Sequence, residues 1–90
     1  MTDLRATPLI DSEYMVAVDV TPPRRKTRVI EVRSRSTGAH LGTLKWYGAW
    51  RQYVFYPQPH TIFNVGCMRD LMVAIETLMI ERQHKVEARG

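Results

Sequence analysis

The fold is decided by residues 28–47, which read RVIEVRSRSTGAHLGTLKWY. Ile30 and Val32 alternate with charged residues, and a period of two with one apolar face is typical of a half-buried β-strand. The STG sequence that ends at Gly38 has the composition of a turn. Residues 41–47 then alternate again, with Leu and Trp at every second position. The stretch therefore predicts an antiparallel hairpin.

Two further segments have the composition of strands. Residues 50–56 are rich in aromatic and β-branched side chains, so they predict a third strand. Tyr53 and Phe55 share one face of it, but the opposite face is also apolar, and the alternation leaves open which face meets the core. Residues 14–20 read YMVAVDV and stop at two prolines, which is compatible with an additional strand at the N-terminal edge of the sheet.

The period changes to a helical one after Asn64, a residue type that favours the N-cap position. The apolar residues recur at i, i+3, i+4 and i+7, which predicts an amphipathic helix. They are Met68, Leu71, Met72, Ile75, Leu78 and Met79.

These elements predict an α+β fold in which a three-stranded antiparallel sheet packs on one C-terminal amphipathic helix. The sequence leaves open whether residues 14–20 add an extra edge strand. The predicted domain spans residues 13–82. Residues 1–12 have no steady period and residues 83–90 are polar, so we expect a flexible N-terminal segment and a flexible C-terminal tail.

The predicted helix carries apolar residues on its back. At 100° per residue, Val73 and Ile80 lie nearly opposite Ile75 and share one line along the helix. This pattern predicts self-association, and a two-fold homodimer is the commonest form. The alternative is that they are ordinary single apolar residues on a surface.

Positive charge is concentrated in one part of the chain. Thirteen Lys and Arg against nine Asp and Glu give a net charge of +4, and between residues 24 and 35 Glu31 is the only acid. Cations interleaved with aromatic side chains on a sheet suit phosphate neutralisation and base stacking. The predicted nucleic-acid-binding residues are Arg24, Arg25, Lys26, Arg33, Arg35, Lys45, Tyr47, Trp50 and Gln52. The alternative is a solvated sheet face, or one covered by another strand or subunit.

No pattern of catalytic or cofactor-binding residues is recognisable. Cys67 is the only cysteine, the three histidines lack metal-ligand spacing, and glycine-rich phosphate loops are absent. We therefore predict a protein that is not an enzyme and has no metal or cofactor. The N-terminus lacks the pattern of a signal peptide and no apolar stretch approaches membrane-spanning length, which predicts a cytoplasmic protein without membrane contact.

Residues 41–57, which read LGTLKWYGAWRQYVFYP, carry a resemblance. They resemble a group of small uncharacterised proteins of phages and actinobacteria that have an L-G-x-I/L-K-W-Y and W-R-x-Y-x-F-x-P stretch before a helix. The likeness covers roughly residues 28–82, and it implies a compact, phage-borne accessory domain with no known reaction. The order of three strands and a helix is also similar to the arm-binding domains of integrases, which dock a sheet on DNA.

The sequence thus leads to a non-enzymatic nucleic-acid-binding accessory protein that uses a basic and aromatic sheet face. The alternative is a protein-interaction module that modulates a host or phage protein through its aromatic residues and the back of the helix.

Overall fold

The computed structural model describes residues 9–89, with side chains for residues 9–84. The elements in chain order are β1 (Met15–Asp19), β2 (Val29–Ser34), β3 (His40–Tyr47), β4 (Gln52–Pro57) and α1 (Val65–Arg89). The strands form one antiparallel sheet in the order β1-β2-β3-β4, and α1 lies against one of its faces. The predicted α+β class is confirmed, but the sheet has four strands, because the N-terminal strand joins it.

The N-terminal strand, β1, belongs to the sheet because its apolar residues reach the core. Met15 is fully buried, and β1 pairs with β2 along its whole length. The outer edge of β1 is covered by the preceding residues, since the Ala17 N–H donates to the Ile10 carbonyl at 3.0 Å. Ile10 itself is 3% exposed, so packing begins within the segment that we expected to be flexible. Residues 1–8 and Gly90 lie outside the described residues.

The core lies between the sheet and α1. Tyr53 and Phe55 are on the face that meets the helix, which answers the question that the alternation in β4 left open. Gln52, Val54 and Tyr56 are on the outer face, which the helix does not cover. The buried apolar residues are Ile10, Met15, Ile30, Val32, Leu44, Tyr53, Cys67, Leu71, Ala74 and Leu78.

The helix begins where its sequence predicts, but the stripe that it buries is narrower than the apolar stripe seen in the sequence. The Cys67 N–H donates to Asn64 Oδ1 at 2.8 Å, so Asn64 is the N-cap residue. Met68 and Met72 belong to the predicted apolar stripe but are not buried against the sheet, since these side chains are 58% and 54% exposed. The reason is that α1 packs mainly along β4 at the edge of the sheet, so the side of the helix beyond that edge has no strand to cover it.

A bulge in β3 immediately precedes Gly42, which lies against the side chain of Phe55. Val32 pairs with Gly42 and Arg33 pairs with His40, so Leu41 is an extra residue in β3. A Cβ atom at Gly42 would lie 2.6 Å from Phe55 Cε1 and 2.6 Å from the Tyr56 carbonyl oxygen. Because the second of these atoms belongs to the backbone, a side-chain rotation of Phe55 alone cannot make room.

Arg28 is a buried cation that joins three elements. Its side chain is 11% exposed and forms ion pairs with Asp19 at 3.0 Å and with Glu81 of α1 at 2.8 Å. Its backbone N–H donates to the Tyr53 hydroxyl at 3.0 Å. A buried charge is tolerated when its donors are satisfied and its charge is balanced, and both conditions hold here. Arg28 is therefore part of the structural framework and not of the exposed basic surface.

The carboxylate of Asp19 stays ionised at lower pH than an ordinary aspartate. Partial burial acts to raise its pKa, but hydrogen bonds from Thr21 and Arg28 outweigh that effect, so the pKa lies below 3.8. The Thr21 N–H donates to Asp19 Oδ1 at 2.8 Å. A lowered folded-state pKa contributes stability that is present above the unfolded-state pKa and is lost as the pH falls through the folded-state pKa.

We expect Gly42→Ala to lower the free energy of unfolding by about 1–3 kcal/mol, because the added methyl group forces β3 and β4 apart. The control is Gly48→Ala, where nothing lies within 4 Å of the new Cβ, and its unfolding free energy should stay within about 0.5 kcal/mol of the parent. Urea denaturation of the three proteins measures both values. Equal losses for the two variants would contradict the close approach at Gly42.

We expect Arg28→Met to lower the unfolding free energy by about 2–3 kcal/mol at pH 7, because Asp19 and Glu81 lose a common charged donor. The exposed Arg25→Met is the matched control and should cost under about 0.5 kcal/mol. The difference between Arg28→Met and the parent should shrink as the pH falls below 3.8, where the parent begins to lose the Asp19 contribution. Chemical denaturation at a series of pH values measures it, and a pH-independent difference would contradict the ion pair.

Candidate nucleic-acid interface

Two connections of the sheet lie at the same end, because neighbouring strands of an antiparallel sheet run in opposite directions. One is the β1–β2 loop, between Asp19 and Val29, and the other is the β3–β4 turn, between Tyr47 and Gln52. Their cations and aromatic residues therefore lie at the same end of the sheet although they are far apart in sequence. We call this surface the basic end; its residues are Arg24, Arg25, Lys26, Lys45, Tyr47, Trp50, Arg51 and Gln52.

The β1–β2 loop presents three exposed cations on a hydrogen-bonded base. The Val29 N–H donates to Thr21 Oγ1 at 2.8 Å, and the Arg25 N–H donates to the Pro22 carbonyl at 3.2 Å. Arg24, Arg25 and Lys26 are all exposed and line a cleft of about 380 Å³. The loop can thus present positive charge on a surface whose backbone is held in place.

The β3–β4 turn presents an aromatic pair. Trp50 is 66% exposed and lies in the turn, so its predicted position on the strand face is wrong; β4 begins two residues later, at Gln52. The Trp50 ring meets the Tyr47 ring edge to face, with 5.1 Å between centroids. On the outer sheet face nearby, the Lys45 ammonium lies 4.8 Å from the centre of the Tyr56 ring.

Two arginines of the basic end have unusual backbone conformations. Arg24 has φ = 71° and Arg51 has φ = 53°, in the left-handed region that glycine adopts at no steric cost. Sequence reasoning missed Arg51 because strict alternation placed it on the face opposite to Trp50 and Gln52. The turn ends that alternation, and the arginine after Trp50 could have been added to the candidate set as a turn residue.

Among the described residues, no acid balances the exposed cations at this end. Asp19 at the end of β1 and Glu81 on α1 are near this end. Both carboxylates bind the buried Arg28. Within the described part of the chain, no carboxylate lies within 4 Å of the side-chain nitrogens of Arg24, Arg25, Lys26 or Arg51. These cations are therefore available to an anionic partner.

Arg33 and Arg35 lie toward the opposite end of the sheet. Arg33 pairs with Glu31 and donates to the Gly38 carbonyl, and Arg35 pairs with Asp11 and donates to the Ser12 carbonyl. In the β2–β3 register Lys45 is opposite Val29, four residues from Arg33, which corresponds to about 13 Å along the strand. The structure therefore divides the predicted binding residues between the two ends of the sheet.

The remaining predicted positions lie on the helix. Val73 and Ile80 are 53% and 58% exposed, on the side of α1 that faces away from the sheet.

Among the described residues, no group of three or more His, Cys, Asp or Glu side chains is placed to hold a metal ion. The same part of the chain has no helix with the length and apolarity needed to cross a membrane.

Comparison with known proteins finds no matching family model, and no solved structure matches. One relative is an uncharacterised 9.3 kDa protein of Acholeplasma phage L2, which is 33% identical over 72 residues. The match covers 80% of this chain and 92% of the relative, so it extends over nearly the whole of the phage protein. The chain therefore belongs to the same family as this small phage protein.

Proposed function

We propose that the chain is a non-enzymatic, phage-type accessory protein that binds nucleic acid through the basic end. The observation that supports this most directly is the exposed Trp50 beside cations that no carboxylate among the described residues balances. Cations neutralise phosphates and release counterions, while an aromatic ring stacks on bases.

The spacing of the two connections suits a nucleic-acid backbone. The β1–β2 loop and the β3–β4 turn are about two strand spacings apart, or roughly 10 Å. At 3.4 Å per nucleotide this corresponds to about three nucleotides of one strand. Cations on the loop and on the turn can therefore contact phosphates about three nucleotides apart on the same backbone.

The left-handed arginines support the same proposal. A non-glycine residue in this conformation costs roughly 1–2 kcal/mol relative to the ordinary region. Arg24 and Arg51 both bear this cost at exposed positions where their side chains form no ion pair with a described residue. Their charges therefore form no ion pair with a described residue that would stabilise the fold. They do raise the positive electrostatic potential of the basic end.

The double variant Arg24→Gly plus Arg51→Gly should weaken nucleic-acid binding without lowering stability. Glycine accepts φ of 71° and 53° without strain, so the unfolding free energy should not fall by more than about 1 kcal/mol below that of the parent. The log–log salt slope should fall in magnitude by about 1.8 on duplex DNA and by about 1.4 on a single strand. Fluorescence anisotropy with labelled random oligonucleotides at several salt concentrations measures the slope.

The matched control is Arg33→Gln plus Arg35→Gln, which removes the same formal charge at the other end of the sheet. Since both arginines are paired with carboxylates, we expect a salt slope within about half a unit of the parent. Equal effects of the two double variants would show that net charge alone governs binding. No binding by the parent at tens of micromolar would contradict the proposal and leave the protein-interaction module as the candidate function.

Trp50→Ala tests the stacking contribution separately from charge. Because the ring is 66% exposed, its removal should change stability little, while binding to a single strand should weaken by about 1–3 kcal/mol. Binding to duplex DNA, whose bases are already stacked, should change less. The same anisotropy titration measures both, and unchanged affinity for single strands would exclude Trp50 as a stacking platform.

A further inference from the structure

The side of α1 that faces away from the sheet carries an ordered row of residues. At 100° per residue they fall within a sector of about 100°, which is the width of a helix-packing face. We call this row the outer helix face; its members are Val65, Arg69, Met72, Val73, Glu76 and Ile80. All six are exposed, and the four apolar ones are between 53% and 66% exposed.

The row is complementary to itself when its direction is reversed. Consider a second α1 that lies antiparallel to the first and is centred between Met72 and Val73. Val65 then lies at the level of the partner's Ile80, and Met72 at the level of the partner's Val73. Arg69 lies at the level of the partner's Glu76, and the two-fold axis repeats each of these pairs. Apolar residues thus meet apolar ones, and each charge meets the opposite charge.

The geometry points to a second copy of this chain as the occupant of the outer helix face, with the two α1 helices antiparallel around a two-fold axis between Met72 and Val73. Such an interface is isologous, so one surface serves both copies. The inference does not depend on the proposed function, since no residue of the basic end takes part.

Charge decides the direction of the helices. In a parallel pair, Arg69 would face its own copy and Glu76 would face its own copy, and like charges at a contact are unfavourable. Neither residue has an oppositely charged residue three or four positions away on α1. Within the described residues neither has an ion-pair partner. A second copy with its helix antiparallel supplies an ion-pair partner to both Arg69 and Glu76.

The edges of the sheet do not offer a competing way to associate. Residues 10–12 cover part of the outer edge of β1. On the outer edge of β4, the Tyr53 N–H points to Met79 Sδ at 3.3 Å, and Pro57 has no N–H to donate. Edge-to-edge strand pairing would therefore meet few free donors, so the sheet edges do not compete with the helix for association.

A charge exchange tests the partner and the register. Sedimentation equilibrium of the full chain between 1 and about 200 µM should give a monomer–dimer equilibrium. Arg69→Glu and Glu76→Arg should each weaken the dimer about tenfold or more, because two attractive pairs become two repulsive ones. The double variant Arg69→Glu plus Glu76→Arg restores opposite charges at both positions and should recover the parent's dissociation constant to within about threefold.

Thermal melts of the same variants separate association from folding, since exposed substitutions should leave the monomer folded. A parent that stays monomeric throughout the concentration range would overturn the inference. A double variant as weak as the single ones would also overturn it, because the two charges would then not face each other.

Cysteine cross-linking tests the direction. In the antiparallel pair, residue 73 and its copy are offset by about 1.5 Å along the axis, whereas residue 80 and its copy are about 22 Å apart. Mild oxidation should therefore give a covalent dimer with Val73→Cys and none with Ile80→Cys. The parent is the control, because Cys67 is 6% exposed and should not cross-link. Cross-linking at residue 80 would indicate parallel helices and overturn the proposed arrangement.

Discussion

The arrangement of this domain depends on one buried guanidinium. Arg28 binds Asp19 at the end of β1 and Glu81 on α1, while its backbone N–H donates to the Tyr53 hydroxyl of β4. Burial of a single charge costs several kcal/mol unless its partners are in place. The end of β1, the start of β2 and the second half of α1 must therefore keep their relative positions for this cost to be offset. The Arg82 guanidinium, 4.1 Å from the centre of the Trp46 ring, adds a second contact between helix and sheet.

The same interaction shapes the surface charge. Because Arg28 engages Asp19 and Glu81, these acids do not pair with the exposed cations of the neighbouring loop and turn. At the other end of the sheet, Arg33 and Arg35 are themselves engaged by carboxylates. A modest net charge of +4 is thus distributed unevenly over the sheet, whose described cations lack a carboxylate partner at the basic end and have one at the other end. This distribution, more than the total, is what makes a nucleic-acid interface physically reasonable.

The position of the helix explains why it has two different faces. Since α1 packs mainly along β4, one narrow stripe is buried, and the side beyond the sheet carries a row of apolar and charged residues. An antiparallel pair formed through that row would place the two copies' Glu81 residues, and with them the two basic ends, about 25 Å apart along the helix axis. Each basic end would remain accessible in such a dimer, because the outer helix face includes none of its residues.

Local periodicity in the sequence was enough to predict the hairpin, the third strand, the helix with its Asn64 cap, and the exposure of Val73 and Ile80. These features depend on residues that are close in sequence, which is why a period of two or of 3.6 residues reveals them. Only the tertiary structure decided that β1 completes the sheet, that Met68 and Met72 lie beyond its edge, and that Arg28 is buried. It also separated Arg33 and Arg35 from the basic end and added Arg51 to it. Each of these outcomes depends either on contacts between residues far apart in sequence or on the backbone conformation of a turn. The pattern of residue types along the chain does not contain this information.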